Sequence, residues 1–102
     1  MEKLRIAFMY VAKNADPVKH RQIVPSPEQV EMNIIAVKDF VQAEAVAEDL
    51  VKEGIKIIEL CAGFGHKSVA KIVQAVRGNA KIGVVRFDCH PALGGKSGDE
   101  FF

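Results

Sequence analysis

Residues 55–87 read IKIIELCAGFGHKSVAKIVQAVRGNAKIGVVRF, and this stretch decides the fold. Its two runs rich in Ile and Val, at 55–62 and 81–87, predict strands that are buried on both faces. Apolar residues between them recur at helical spacing and predict a helix that Gly78 ends. These residues are Val69, Ile72, Val73 and Val76. A strand, a helix and a second strand in this order form a parallel unit with a right-handed crossover.

The first half of the chain adds two more strands and another helix. Residues 4–11 are a nearly continuous apolar run, which is typical of a buried central strand. Residues 30–37 alternate at first between apolar and polar side chains, as an edge strand does. Asp39, followed three residues later by Gln42, predicts the N-cap of a helix that ends at Gly54.

The segment after the first strand has a weaker pattern. Asp16 can cap a helix and Pro17 suits its first position, so residues 16–23 predict a short helix or helical turn. Pro25 and Pro27 forbid its continuation. If this segment is irregular instead, an antiparallel strand at the sheet edge becomes an alternative.

Strands that alternate with helices predict an α/β domain with a small, mainly parallel sheet of four strands and flanking helices. The order of burial favours the flavodoxin-like strand order 2-1-3-4, and a quarter of a β/α barrel is the alternative. The predicted domain comprises residues 1–90, and residues 91–102 form a glycine-rich C-terminal arm. We expect this arm either to fray or to dock its two terminal Phe side chains on a neighbour or over the site.

The charge balance excludes several classes of partner. The 102 residues include 14 Lys and Arg and 13 Asp and Glu, which gives a net charge of +1. The electrostatic field of the protein is therefore too weak to attract nucleic acid or an anionic membrane. The apolar stretch at 6–12 is too short to span a bilayer and is followed by no cleavage pattern, which predicts a cytoplasmic protein with free thiols. Because the last predicted strand is apolar on both faces yet lies at an edge, we expect a homo-oligomer.

Side chains that can carry chemistry follow the last two predicted strands, at the edge where open parallel sheets bind ligands. With Glu59 paired beside Arg86, alternation puts both side chains on one face. The same face then also carries Cys61, Asp88 and His90. Asp88 would orient His90 as a general acid or base, and Arg86 would hold a substrate carboxylate or phosphate. The structural alternative is an ion pair between Glu59 and Arg86, with Asp88 capping a turn.

The turn from Gly63 to Gly65, with Phe64 between them, precedes the second long helix. Free amide groups and the helix dipole attract an anion at such a place, and glycines let the anion approach closely. These three residues are therefore candidate substrate contacts. Glycines in a tight turn between a strand and a helix are also explained by geometry alone.

Two further histidines extend the candidate site. His66, at the start of the predicted helix, is a catalytic candidate that could contact the anion or a metal, and His20 is a substrate contact that could join from the loop after the first strand. Zinc is an alternative ligand of the site, because thiolate and imidazole are its preferred donors. The cysteines and histidines concerned lack the spacing of zinc knuckles, however. The four residues concerned are Cys61, His66, Cys89 and His90. Inert packing in the core is the main expectation for the two cysteines, and the sequence requires no cofactor.

Three stretches carry a resemblance that spans nearly the whole chain. They are ADPVKH at 15–20, EDLVKEGIKIIELCAGFGH at 48–66 and IGVVRFDCHPALGGKSGDE at 82–100. In these stretches the chain resembles a family of small bacterial and archaeal α/β proteins of about one hundred residues, a domain of unknown function. The resemblance implies that the histidines and the acid of the candidate site belong to a motif, and it implies no reaction. These residues are His20, His66, Asp88 and His90.

The residues leave two functions open. The first is a small enzyme, a lyase, isomerase or hydrolase, that uses His90 with Asp88 for acid/base chemistry. The second is a non-catalytic oligomeric module that binds a small anionic metabolite through the Gly63–Gly65 turn and Arg86, or that serves in a larger assembly.

Overall fold

A computed structural model describes residues 3–102 and shows an α/β fold with one five-stranded mixed sheet. The strands are β1 (Leu4–Val11), β2 (Arg21–Val24), β3 (Val30–Val37), β4 (Ile57–Leu60) and β5 (Lys81–Val84). The helices are α1 (Phe40–Lys52) and α2 (His66–Val76), and short 3-10 turns lie at Pro91–Leu93 and Gly98–Glu100. The order across the sheet is β2-β3-β1-β4-β5.

Strand β2 corrects the prediction of a four-stranded sheet. Strands β3, β1, β4 and β5 are parallel and adjacent in this order, and β2 pairs with β3 in the antiparallel sense. The added edge strand makes the sheet five-stranded and mixed, which departs from the predicted flavodoxin-like sheet. A barrel fragment would keep its strands in chain order, whereas β1 lies here between β3 and β4.

Of the short helix or helical turn predicted for 16–23, the structure forms only the turn, because the hydrogen bonds stop after Asp16–His20. The amide of His20 donates to the carbonyl oxygen of Asp16 at 2.7 Å, which closes that turn. Residues 21–24 then extend and pair with the free edge of β3. Two of these four residues are β-branched and suit a strand better than a helix.

The predicted cap of α1 is confirmed. Asp39 Oδ1 accepts a hydrogen bond from the amide of Gln42 at 2.8 Å. The helix ends at Lys52, and Gly54 beyond it adopts a φ of 89°, which favours glycine. No helix in the part of the chain from Lys3 to Phe102 is long and apolar enough to cross a bilayer.

Both helices lie on one face of the sheet, which corrects the expectation that helices cover both sides. The buried cluster alternates along the strands and continues into the helices. Its largest fully buried strand and helix members are Met9, Ile35, Ile58, Leu60, Leu50 and Ile72. The segment after β1, which in a doubly wound sheet would supply a helix to the other face, forms β2 here.

The C-terminal segment folds back over the carboxyl edge of the sheet. Gly98 is buried against Gly63, and the Phe102 ring lies 6.0 Å from the Phe40 ring at the start of α1. Of the two predicted fates of the arm, the structure therefore shows docking, and the arm docks on its own chain.

Candidate functional site

The predicted site residues lie near the carboxyl edge of the sheet, where they form several separate sets of contacts. The segments after β4 and β5 meet there, because parallel neighbours end at the same edge. The C-terminal segment crosses this edge and binds several of its polar groups. These contacts determine which polar groups at this edge remain available to a ligand.

The turn between β4 and α2 holds a carboxylate that the chain itself supplies. Asp99 Oδ2 accepts from the amide of Lys67 at 2.8 Å, and Asp99 Oδ1 accepts from the hydroxyl of Ser68 at 2.6 Å. The amides of Gly65 and Ser68 also donate to Asp99 Oδ1, each at 3.2 Å. Gly65 is the N-cap residue and has no side chain of its own to accept these bonds. Asp99 therefore occupies the place where the sequence predicted a bound anion.

The two glycines of this turn allow close packing, Gly65 against the C-terminal segment and Gly63 against the end of β1. A Cβ on Gly65 would lie 2.4 Å from Asp99 Oδ2, and a Cβ on Gly63 would lie 2.6 Å from a methyl carbon of Val11. Phe64, between them, is fully buried, with its ring 5.3 Å from that of Phe40. It packs in the core and offers no surface to a ligand, in contrast to the substrate contact that was predicted.

The Asp99 contacts predict a pH-dependent stabilisation of the fold. Partial burial raises the pKa of Asp99, but the hydrogen bonds from Ser68, Lys67 and Gly65 outweigh it and hold the pKa below its ordinary value of 3.8. We expect Asp99→Asn to lower the free energy of unfolding near neutral pH by about 1–2 kcal/mol. Because the pKa is lower in the folded state than in the unfolded state, this stabilisation is complete above about pH 4 and is lost as the pH falls through the folded-state pKa.

Urea denaturation of the wild type and Asp99→Asn across that pH range measures the effect. Glu100→Gln removes the neighbouring exposed acid and is the control, with little change expected. A stability difference between wild type and Asp99→Asn that stayed constant in acid would contradict the assignment.

A second contact joins Arg86, Asp88 and His66 on the surface beyond β5. Arg86 Nε donates to Asp88 Oδ1 at 2.6 Å, and the Arg86 guanidinium also contacts the His66 ring. His66 Nε2 lies 3.7 Å from Asp88 Oδ1. The hydrogen bond from Arg86 lowers the pKa of Asp88, so this carboxylate stays charged beside the imidazole. Both His66 and Asp88 are exposed.

The register of β4 and β5 overturns the predicted pairing of Glu59 with Arg86. Glu59 lies beside Gly83, so the alternation of the strand places Arg86 with Val84, on the opposite face. Among the residues that the structure describes, Glu59 forms no ion pair. Any odd shift in register is enough to put the two side chains on opposite faces. Strand β5 also ends before Asp88 and His90, so alternation does not place these two residues.

His90 caps a turn in its own segment and does not hydrogen-bond to Asp88. Its Nδ1 accepts from the amide of Ala92 at 3.1 Å, and its ring lies 5.6 Å from the Phe87 ring. Asp88 instead binds Arg86. The predicted acid/base pair is not formed, because both residues lie beyond the end of β5 where alternation no longer orders side chains.

The two cysteines are both free thiols. Cys61 is half-buried against the core, and its sulfur accepts from the amide of Gly63 at 3.3 Å. Cys89 is exposed, which corrects the expectation of inert core packing. The reason is again the early end of β5 at Val84, which leaves Cys89 outside the sheet.

His20 lies at the opposite side of the carboxyl edge. Its carbonyl oxygen accepts from the amide of Ala36 at the end of β3, and its Nδ1 accepts from the amide of Asp16 at 2.9 Å. His20 precedes β2, and strands β3, β1 and β4 separate β2 from β5, so His20 and the Arg86 contact are about 19 Å apart across the sheet. The structure does not bring His20 into the predicted site.

A cavity of about 540 Å³ lies between the loop after β1 and the C-terminal segment. Two lysines line it, Lys13 from the loop and Lys96 from the segment. Leu93, Phe101 and Phe102 form an apolar wall. The cavity therefore combines positive charge with an apolar surface.

A family model matches residues 4–100 of the chain. The chain belongs to DUF6506. This family is described as a family of unknown function. No match to the chain was found among curated proteins or among solved structures.

The candidate zinc ligands of the DUF6506 chain are not brought together. Within residues 3–102, no three side chains of His, Cys, Asp or Glu are grouped so that they could hold a metal ion. His66 contacts Arg86, His90 caps its own turn and Cys89 faces solvent.

Sequence reasoning missed Asp99, Lys13 and Lys96. For Asp99 one signal was available, since Gly65 leaves the start of α2 without a side-chain cap and some other group has to accept from its amides. The two lysines are 83 positions apart in the chain, and no local pattern connects them.

Proposed function

We propose that this protein binds a small anionic metabolite at the carboxyl edge of the sheet, in the cavity under the C-terminal segment. The observation that carries this proposal is the pair Lys13 and Lys96, two ammonium groups that line a cavity with an apolar wall. In the described part of the chain, neither forms an ion pair with a carboxylate. A cavity with two uncompensated positive charges favours an anion.

The lining of the cavity favours a ligand with an anionic group on an apolar body. A carboxylate or phosphate would lie between the two lysines, because ammonium groups bind such oxygens through charge-assisted hydrogen bonds. Leu93 and Phe101 would contact the apolar part. Small-molecule sites of about 300–1,000 Å³ commonly have this composition, mainly apolar with a few placed charges.

The place of the cavity in the fold also supports the proposal. In open parallel sheets, ligands bind beyond the carboxyl ends of the strands where the chain reverses its direction of travel across the sheet. The chain moves from β1 to β3 on one side and then crosses to β4 on the other, so this point lies beside β1. Lys13 follows β1 by two residues. The position of the ligand site is the only feature that we propose this sheet to share with flavodoxin-like sheets.

A second candidate function is acid/base chemistry by His66. The contact of His66 with Asp88 and Arg86 favours it, because a neighbouring carboxylate and guanidinium can orient an imidazole. The guanidinium and the carboxylate nearly cancel in charge, so this cluster attracts an anion less strongly than the cavity does.

Titration calorimetry with phenyl phosphate tests the two sites against each other. We expect the wild type to bind this ligand and the double variant Lys13→Gln, Lys96→Gln to bind it at least about tenfold more weakly, since two charge-assisted hydrogen bonds are lost. Lys56→Gln, an exposed lysine just before β4 at the amino edge, is the matched control and is expected to bind like the wild type. Benzyl alcohol, which has the ring without the charge, is expected to bind at least about tenfold more weakly than phenyl phosphate.

Two results would overturn the cavity as the site. One is an affinity for phenyl phosphate that the double lysine variant leaves unchanged. The other is a loss of affinity in His66→Gln with the cavity lysines intact, which would move the anion to the second candidate.

The two expectations about cellular context are also proposed. The exposed thiol of Cys89 and the free thiol of Cys61 support a cytoplasmic location, because reducing compartments maintain free thiols. Val84 and Val85 at the β5 edge are about half exposed, which supports a homo-oligomer.

A further inference from the structure

One face of the sheet is mainly apolar and lies away from both helices. Nine exposed or half-buried apolar side chains from four neighbouring strands share this face, as the register of the strands requires, and the polar Gln22 lies at its β2 side. They are Leu4, Ile6, Phe8 and Tyr10 of β1, Val30, Met32 and Ile34 of β3, Val24 of β2 and Ile57 of β4, and together we call them the open face. Not one of the nine belongs to the buried core cluster.

The exposure of the open face is unusual for its composition. Leu4 is 49% exposed and Tyr10 is 36% exposed, and the seven other side chains are half-buried by their neighbours in the sheet. Strands of parallel sheets that are apolar on both faces are normally covered on both faces. Strand β1 has this composition, yet within residues 3–102 both helices pack on the other side.

The size of the open face approaches what a stable dimer needs. Strands β1 and β3 have eight residues each and β2 and β4 have four each, so with a rise of about 3.3 Å per residue and a spacing of about 4.8 Å between strands the projected area is about 380 Å². Side chains that stand off the sheet increase the accessible area, and aromatic residues such as Phe8 and Tyr10 add most. The result approaches the about 800 Å² that each partner contributes to a standard interface.

The charges on this side of the sheet also suit pairing with an identical face. Two charged residues of the strands point the same way, Glu59 of β4 and Lys81 of β5, and both lie towards the β5 side rather than at the centre. A two-fold interface requires a surface to complement itself, and a flat apolar centre with charges at its rim fulfils this requirement.

We propose that two copies of this chain pair through their open faces. The two sheets pack face to face about 10 Å apart, as sheets in sandwiches do. Ile6, Met32 and Ile34 lie at the centre of the interface, Phe8 lies next to them, and Glu59, the neighbour of Phe8 on β4, remains hydrated at its rim. This pairing leaves the cavity that Lys13 and Lys96 line on the edge of each protomer, so it does not depend on ligand binding there.

The oligomeric state of variants tests the proposal. We expect the wild type to sediment at twice the chain mass of 11.2 kDa, and Phe8→Glu to raise the dissociation constant of the dimer by more than about 100-fold. Ile34→Glu places the same charge on the neighbouring strand and is expected to act alike. Val41→Glu is the matched control, because Val41 is an apolar residue of α1 that is 76% exposed and lies outside the open face. This control is expected to remain dimeric.

A second measurement needs no substitution. Tyr10 is the only tyrosine and the chain has no tryptophan, so the intrinsic fluorescence reports on the open face alone. We expect acrylamide to quench this fluorescence less at concentrations where the protein is dimeric than after dilution to the monomer.

Three results would overturn the proposal. They are a wild-type chain that stays monomeric at high concentration, a dimer that persists in folded Phe8→Glu, and a dimer whose formation leaves the quenching of Tyr10 unchanged. If Phe8→Glu and Ile34→Glu fail to fold by circular dichroism, the quenching of the wild type decides the matter by itself.

Discussion

Phe64→Ala is expected to lower the free energy of unfolding by about 3–5 kcal/mol, the range found when a buried aromatic ring is removed. The Phe64 side chain is completely buried, and its ring contacts that of Phe40 at the start of α1. The loss combines the transfer of the ring from the core with a cavity that the rigid β4–α2 turn cannot close. In a domain whose total stability is of the order of 5–15 kcal/mol, this is a large fraction.

Chemical denaturation monitored by circular dichroism measures the effect of Phe64→Ala. Phe101→Ala is the matched control, because Phe101 belongs to the same carboxyl edge but is 46% exposed, and its loss is expected to cost less than about 1 kcal/mol. If Phe64 were a ligand contact rather than a core residue, its substitution would weaken ligand binding and leave the free energy of unfolding within about 1 kcal/mol of the wild type.

Gly98→Ala is expected to detach the C-terminal segment and to destabilise the protein by about 3 kcal/mol. A Cβ on Gly98 would lie 1.8 Å from the carbonyl oxygen of Gly63, and a backbone atom of a buried turn cannot move aside. The segment must therefore lift, and α2 then loses its Asp99 cap while Phe102 leaves the Phe40 ring. The expected loss of about 3 kcal/mol combines the loss of the Asp99 cap with the exposure of the Phe102 ring.

Hydrogen exchange and urea denaturation of Gly98→Ala measure both consequences. The amides of Lys67 and Ser68, which donate to Asp99, are expected to lose protection although they lie about 30 residues away in the chain. Gly83→Ala is the control, since its Cβ would meet only Glu59 Cγ at an ordinary 3.7 Å. Unchanged protection at Lys67 and Ser68 in Gly98→Ala would show that the segment does not hold the start of α2.

Gly98→Ala and the double variant Lys13→Gln, Lys96→Gln separate the role of the C-terminal segment from that of the ligand site. Both Lys96 and Asp99 belong to this segment, but Asp99 stabilises α2 while Lys96 faces the cavity. A variant that releases the segment is therefore expected to lose stability and anion binding together. The double lysine variant is expected to lose binding alone, because exposed lysines contribute little to stability.

The elements with strong local patterns could be predicted from the sequence. The apolar run of β1 and the Asp39 cap of α1 depend on residues within a few positions of one another, and the structure has both where the pattern indicates. The strand at Arg21–Val24 was missed, because Asp16 and Pro17 signal a short helix or helical turn but do not show where it ends. The competing interaction, pairing with the edge of β3, involves residues outside that segment.

Arg86, Asp88 and His66 lie at the carboxyl edge of the sheet as the sequence indicated, but their contacts differ from the predicted ones. Alternation was extended past Val84, where β5 ends, and the pairing of Glu59 was displaced from its true neighbour Gly83. Each of these differences is only a few residues long, yet a strand has a period of two, so either one changes which side chains share a face.

The sequence by itself determined the α/β class, the central apolar strand, the two long helices and the carboxyl edge as the place of the reactive side chains, because these follow from periodicity and capping within short segments. Only the tertiary structure decided that both helices cover one face, that Asp99 caps a helix 34 residues from it at Gly65, and that Lys13 and Lys96 line one cavity. The reason is physical. Hydrogen bonds and packing between distant segments depend on register and on which surfaces remain uncovered, and no local pattern in the chain carries that information.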